Sequence, residues 1–446
     1  MKKSYFVIAI LMIAAMVLGA CTSPAPTAAP APAEPAAPAA PAEPAKPAEP
    51  AAPAEPAKPA EPAAEAVTIN LWTKEGENDG GLQYVQALAD AYTAANPNVT
   101  FVVVNKDVEA LREDFQTASL ANAAPELLWT VSDHLGPFTA AELIQPVDSL
   151  VDLSTYVASA VDAVKDPSGA TWGVPISNGN HLMYLYNKDL QPTPPANTDE
   201  LVSMGKEFLA ANPDLFPLVF NQTEPFFFIP WLGGFKGKVF ADDGVTPTLN
   251  TPEMTAALQF LHDIKFNDKL VPLESDYDVA DTMFKEGKAA AIISGDWSLG
   301  GYKEVFGDKL GVAPIPEVVG GTWPAPYTSG VFFMIPAGLE GAKLDAVVDF
   351  MKFSTNMENQ VDMVKKLTRL PALEAALSDP VITEDPILAG SAEQMTYGTP
   401  MPTVLEMRCV WDGLKPEMQA VFNDTKSAAD AVAAAQTAAE TCIANQ

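Results

Sequence analysis

From Thr22 to Ala66 the chain uses only Pro, Ala, Glu, Lys, Ser and Thr. With no large apolar side chain to bury, this stretch cannot form a core. The unit Ala-Glu-Pro-Ala-Lys-Pro-Ala-Glu-Pro-Ala-Ala-Pro begins at Ala42 and nearly repeats from Ala54. Frequent Pro biases such a chain to polyproline II at about 3.1 Å per residue, a reach on the order of 140 Å. We read it as a semi-rigid stalk. An SH3-type ligand is the rival, but that belongs to another cellular setting. Folding is thereby confined to residues 67–446, long enough for two domains.

What precedes the stalk says what it is attached to. Lys2-Lys3, a mostly apolar run from Tyr5 to Leu18 and the small pair Gly19-Ala20 are the successive regions of a secretory signal. The run is short for a spanning helix, which needs roughly 20 residues. Leu18-Gly19-Ala20-Cys21 resembles the lipobox of bacterial lipoproteins. That resemblance implies cleavage after residue 20 and acylation of Cys21, and several acyl chains give durable anchoring. An ordinary signal with an incidental Cys is the alternative. The expected arrangement is a signal over 1–20, a lipidated Cys plus linker over 21–66, and a protein held at the outer face of the cell membrane.

Formal net charge is −31, and no basic stripe is present. Nucleic acid is therefore not the expected partner, and adsorption to anionic lipid is disfavoured, which leaves attachment to the acyl anchor. Besides Cys21 only Cys409 and Cys442 remain. An exported compartment permits a bridge that would tie the Ala-rich helix near 427–444 to the segment before it; two buried thiols are the alternative.

Within 67–446, Val67–Trp72 alternates as a strand, 82–95 has helical spacing ending at Asn96-Pro97, 99–104 is a strand, 108–121 a helix and 126–129 a short apolar strand. This order predicts an α/β fold whose parallel sheet is covered by helices. Further strands are expected at 171–175, 289–294, 310–313 and 330–335. Helices are expected at 198–211, 252–267, 279–286, 341–354, 356–366 and 414–422.

Four segments in order resemble the family 1 extracellular solute-binding proteins of ABC importers, in their maltose/maltodextrin-binding group. They are Tyr184-Leu185-Tyr186-Asn187-Lys188-Asp189-Leu190 with Pro194-Pro195; Phe220-Asn221-Gln222-Thr223-Glu224-Pro225-Phe226; Met283–Ala290 continuing to Gly295-Asp296-Trp297; and Met401-Pro402 with Trp411. The resemblance implies a two-lobed, periplasmic-binding-protein-like fold with discontinuous lobes and an interlobe ligand cleft. One lobe would comprise 67–178 and 328–378, the other 179–327 and 379–446. It also implies a monomer that captures a maltooligosaccharide and presents it to the membrane subunits of an importer. No cofactor, metal or catalytic residue is expected.

A sugar offers hydroxyls and flat C–H faces, so its site needs aromatic platforms and polar side chains that fix orientation. The resemblance places platforms at Phe226, Trp297 and Trp411; family members often carry Tyr where Phe226 stands. Two flanking Phe residues mean that at least one ring of 226–228 faces a core. Glu224 matches a position that contacts sugar hydroxyls, and a carboxylate accepting from a hydroxyl makes a strong bond. Asp133 follows a strand end, where ligands of open α/β sheets bind. His134 replaces an Arg of the maltose binder and cannot form a guanidinium fork. Thr130 stands where that relative has a Trp, while neighbouring Trp129 should point to the opposite face. Lys74, Glu75 and Glu77 can reach ligand from the first loop, or form a solvated charge run. Asn180, in place of a Glu, both donates and accepts. Tyr327 lies near an expected hinge crossing.

The rival readings are an exported glycoside hydrolase, which needs two carboxyls flanking the scissile bond, and an adhesion module carried on the stalk. A peptide or amino-acid ligand would call for Arg or Lys at the cleft motifs, which carry little Arg. The sequence has no Walker A pattern, so it does not supply an ATPase itself. His134, His181 and His262 lack metal-ligand spacing.

Overall fold

The computed structural model describes residues 66–166 and 168–446. The signal, Cys21 and, apart from Ala66, the Pro/Ala-rich linker lie outside the described residues. Among the described residues no helix is long and apolar enough to cross a membrane.

Two sheets organise the chain. The first has the order β11-β10-β3-β1-β2, with β4 and β5 also pairing with β10. Its strands are β1 (Val67–Thr73), β2 (Val99–Asn105), β3 (Leu127–Val131), β4 (Ile144–Gln145), β5 (Val174–Gly179), β10 (Tyr327–Pro336) and β11 (Thr399–Pro400). The second has the order β7-β8-β6-β9, from β6 (Leu182–Asn187), β7 (Phe216–Phe220), β8 (Ala289–Gly295) and β9 (Leu310–Ala313). β1 runs parallel to both β2 and β3, as the strand–helix–strand order requires. β10 then returns antiparallel to β3 and β5. In the second sheet β7 and β8 are parallel while β6 runs against β8 and β9.

Each sheet has its own core. Ile69, Leu71, Leu127, Trp129 and Phe333 pack with the helices Gly81–Ala95 and Gly341–Ser354 on one face of the first sheet. Leu128, Phe332 and Met334 pack with Leu111, Phe115 and Phe138 on its other face. The second sheet is sandwiched likewise: Tyr184, Leu218 and Ile293 face the helices Pro252–Phe266, Glu406–Phe422 and Ala428–Ala444, and Met183, Leu185 and Ile292 face Phe284 and Tyr302. Strands apolar on both faces are what a helix-covered sheet demands.

The local signals explain most boundaries. Asp107, Asn197, Thr251 and Ser427 cap the N-termini of their helices through side-chain oxygens. Three expectations need adjustment. The strand expected at 171–175 runs from Val174 to Gly179, because Thr171 pairs with Lys165 in an isolated bridge and Trp172 bonds back to Val164. The helix expected at 414–422 begins at Glu406 and runs through Pro416; Pro416 is exposed, and so is Asp412, whose carbonyl would otherwise receive the missing N–H. The strands β6 and β7 carry no alternation, since both faces are buried, and the sequence reading passed over them.

Candidate ligand-binding cleft

Parallel strands that share a register end together, and their following loops form one edge. β1 and β3 are in register up to Thr73 and Trp129, so the loops beginning at Lys74 and Ser132 emerge side by side. β7 and β8 are in register at Phe220 and Ile293, which brings Glu224–Phe226 next to Asp296–Trp297. These strand-end loops approach one another, as the strand C-termini of an open α/β sheet do at a ligand crevice.

The second sheet supplies the aromatic surface. In the run Phe226-Phe227-Phe228 only Phe226 is half-buried; Phe227 and Phe228 fill the core. Phe226 and Trp297 stand 6.1 Å apart at 49°. Trp297 is oriented by its indole N–H, which donates to the Tyr277 hydroxyl at 3.0 Å. Its ring lies flat over Gly295, and any side chain at 295 would overlap it. Trp411, also half-buried, meets buried Tyr327 edge to face at 6.1 Å. One helical turn after Trp411, Lys415 donates to Glu224 Oε1 at 2.6 Å and so joins the two aromatic groups into one wall.

The first sheet supplies polar groups. Asp133 lies opposite Trp411. Burial lifts its carboxyl to about 6, although its own backbone N–H, Arg112 and the Trp411 indole act against that rise. Lys74 Nζ sits 5.8 Å from the Trp297 ring centre and 3.3 Å from Glu75 Oε1, near the useful range for a cation over an aromatic face. Two residues that sequence reasoning missed complete this side. Arg112 Nη2 pairs with Glu109 Oε2 at 2.9 Å. Burial lifts the Glu109 carboxyl to about 7; Arg112 opposes this, while Asp133 and Glu224 add to it. Arg112 therefore brings a guanidinium to the neighbourhood of Asp133 although position 134 no longer carries one.

Other candidates stand differently from the reading above. Glu75 is buried and spent: Arg369 Nη1 and Nη2 donate to its two oxygens at 2.8 and 2.9 Å, and Trp129 Nε1 donates at 3.0 Å. Burial alone would raise its carboxyl, but the Arg369 and Lys74 charges with these hydrogen bonds bring it down to about 2. His134 is 1% exposed. Its Nδ1 meets Thr130 Oγ1 at 2.7 Å, and burial together with Arg112 drives its pKa down to about 3. It supports the floor beneath Asp133 and shows no face to the cleft. Trp129 and Thr130 do point to opposite faces. Glu77 is on the exposed rim. Asn180 turns inward at φ +51°, donating its backbone N–H to Asp296 Oδ2 at 3.0 Å and its amide to Ser329 Oγ at 3.4 Å. Lys415 was findable, lying four residues after Trp411 on one helix; Arg369 has no local motif to announce it. Cys409 and Cys442 form a disulfide that joins the Trp411 helix to the last helix. No group of acidic, His or Cys side chains suited to a metal ion occurs among the described residues.

Known proteins share this two-lobed α/β architecture. Residues 87–390 match the family model described as bacterial extracellular solute-binding protein. The maltotriose-binding protein of Pyrococcus abyssi is 28% identical over 368 residues, covering 80% of this chain and 78% of its own. A maltooligosaccharide ABC transporter solute-binding lipoprotein of Streptococcus pneumoniae is 23% identical, covering 81% and 85%. Among solved structures, the maltose/maltodextrin-binding domain of Bdellovibrio bacteriovorus bound to maltotriose superposes with a TM-score of 0.80 at 33% identity, over 84% of this chain and all of that one. With its two α/β lobes and the cleft between them, the chain belongs to the bacterial extracellular solute-binding proteins.

Proposed function

We propose that this protein captures a maltooligosaccharide by closing its lobes around it and delivers it to an ABC importer. The observation that carries the reading is the wall of half-buried aromatics, Phe226, Trp297 and Trp411, facing Lys74 and Asp133. Apolar faces for sugar rings and a carboxylate for their hydroxyls belong to opposite lobes, so full contact needs closure. Ligand then shifts the population towards the closed form by its differential affinity. The lobes in this reading are 67–178 with 328–378 and 179–327 with 379–446. The maltotriose- and maltooligosaccharide-binding relatives support the ligand class.

The protein acts by binding, without turnover, and is tethered to the outer face of the membrane by lipid on Cys21, with the Pro/Ala segment as spacer. The lipoprotein relative supports that tether. A thermal-shift screen of residues 67–446 over mono- and oligosaccharides tests the ligand, because a solute that binds only the native state raises Tm. Maltotriose is expected to raise it. No shift with any sugar, together with a shift from another solute class, refutes the assignment. Incubation with maltotetraose should release no new reducing ends; turnover lost in Glu224→Gln would make the protein a hydrolase.

A further inference from the structure

We propose that Arg369 is a positioning residue that ties the two lobes in their closed arrangement and sets the Trp297 platform. The inference rests on reading Trp297 as a sugar platform and on lobe closure. The Arg369 guanidinium is 2% exposed. Two of its N–H groups fork onto Glu75, and a third, on Nη2, reaches the Trp297 backbone carbonyl at 3.2 Å. Through Glu75 it also orders Lys74, whose ammonium lies over the Trp297 ring. A single cation from the first lobe thus touches the platform's backbone directly and its ring through one intermediary.

The mounting of Arg369 makes this contact sensitive to closure. Thr368 is held in the left-handed region at φ +54°. The Leu370 carbonyl accepts from Asn178 N at 3.0 Å, and Gln360 Oε1 accepts from Ala372 N and Leu373 N at 2.8 and 3.0 Å. These bonds fix the segment to the first sheet, while Leu370 also packs on Ile382 and Leu388 and Leu367 lies against Gly300, all three of the second lobe, so the segment sits at the lobe boundary where opening would act. The fork to Glu75 lies within one lobe and survives opening; the bond to Trp297 does not. Lys285 Nζ, which donates to Asn78 O at 2.8 Å, is a second cation spanning the lobes farther along the rim.

Charge gives the tie a signature that packing lacks. Asp79 and Asp296 both act on the Arg369 guanidinium alongside Glu75. Glu75 and Asp79 belong to the first lobe, Asp296 to the second. Other groups facing this knot are Lys74, His181 beside Asp296, Tyr277 beside Asp79, and the Asp281–Lys285 pair at 2.9 Å. Removing the guanidinium leaves Glu75 and Asp79 facing Asp296 across the lobe boundary, and their repulsion favours the open form. Burial raises the Asp79 carboxyl and, without Arg369 to oppose it, would raise that of Glu75, so acid relieves the repulsion by protonating these two.

The test uses the mature chain with Cys21→Ser, spin-labelled through Leu120→Cys and Val305→Cys, both exposed and one on each lobe. Interlabel distances from pulsed electron resonance and maltotriose affinity are measured from pH 7 to about 5. Arg369→Met is expected to lengthen the distance, weaken maltotriose about tenfold at pH 7, and recover on acidification; Arg369→Lys should be intermediate. Should Arg369→Met fail to fold, the double variant with Glu75→Gln removes the stranded buried charge, and should stay more open than the wild type with a weaker response to pH. Unchanged distances and affinity in folded Arg369→Met, or a loss that ignores pH, overturn the proposal. If the unsubstituted labelled chain binds no maltotriose while its distances still depend on Arg369, the sugar reading fails and the tie stands.

Discussion

Reduction of the Cys409–Cys442 bridge should cost more stability than its small size suggests. The last helix, Ala428–Ala444, buries Ala428, Ala431, Val432, Ala435 and Ala439. Such a face removes little apolar surface from water, so hydrophobic transfer alone holds it weakly. It approaches the Trp411 helix closely at Gly413, which packs on the backbone of Ala435 and Ala439. The bridge closes a sequence separation of 33, for which the chain-entropy relation gives about 4 kcal/mol at 25 °C. Unfolding entropy near 2.1 cal/mol/K per residue sums to about 0.8 kcal/mol/K over the roughly 380-residue body, so Tm should fall about 5 °C. Cys409→Ala with Cys442→Ala, and the unsubstituted protein in reductant, should show the same lowered urea midpoint by circular dichroism. Maltotriose affinity below the transition should stay within twofold, because the bridge acts chiefly on the unfolded chain. An unchanged midpoint would refute the entropic argument. Affinity lost in step with stability would show that the bridge shapes the Trp411 platform instead.

Two further outcomes are expected. Trp297→Ala should weaken maltotriose by at least about tenfold, roughly 1.4 kcal/mol, by titration calorimetry; an unchanged affinity with native circular dichroism would assign the indole to packing alone. Stability should peak in mild acid. Asp133 and Glu109 are raised to about 6 and 7, so they favour the native state at low pH and lose that effect as pH rises through those values. Glu75 is depressed from 4.5 to about 2, worth about 3 kcal/mol that is present above pH 4.5 and lost as pH falls towards 2. Urea midpoints should therefore rise from pH 8 to about 5 and fall below 4; a monotonic profile would refute this balance.

Much of the scaffold was legible because its elements announce themselves locally. The alternation of Val67–Trp72 and the helix stop at Asn96-Pro97 read correctly from neighbours in sequence. β6 and β7 were not legible, since a strand buried on both faces has no period to detect. The proposed platforms Phe226, Trp297 and Trp411 came from the family resemblance of ordered motifs, and the triplet Phe226–Phe228 was open to a physical argument about how many rings a core can take. The polar half of the site was harder. Glu75 and Lys74 look alike as exposed-loop charges until Arg369, 294 residues further on, claims one of them. Arg112 was hidden for the same reason: on its own helix it is one charge among several, and only folding sets it near Asp133.

In the proposed cleft, the His at position 134 leaves a guanidinium to be supplied from elsewhere, and Arg112 lies near enough to act on Asp133. Where the family resemblance places an Arg, this chain has a neutral, buried His that bonds to Thr130. Asp133 would then be a carboxylate under partial burial without a cation, and its pKa near 6 reflects that cost. Arg112, coming from the flanking helix, recovers part of the lost compensation but divides its charge between Asp133 and Glu109. A sugar hydroxyl donating to Asp133 would favour its ionised form, so binding should release a proton near pH 6. The buffer-ionisation dependence of the binding enthalpy would measure that proton, and a value of zero at pH 6 would mean that the ligand does not engage Asp133 as an acceptor.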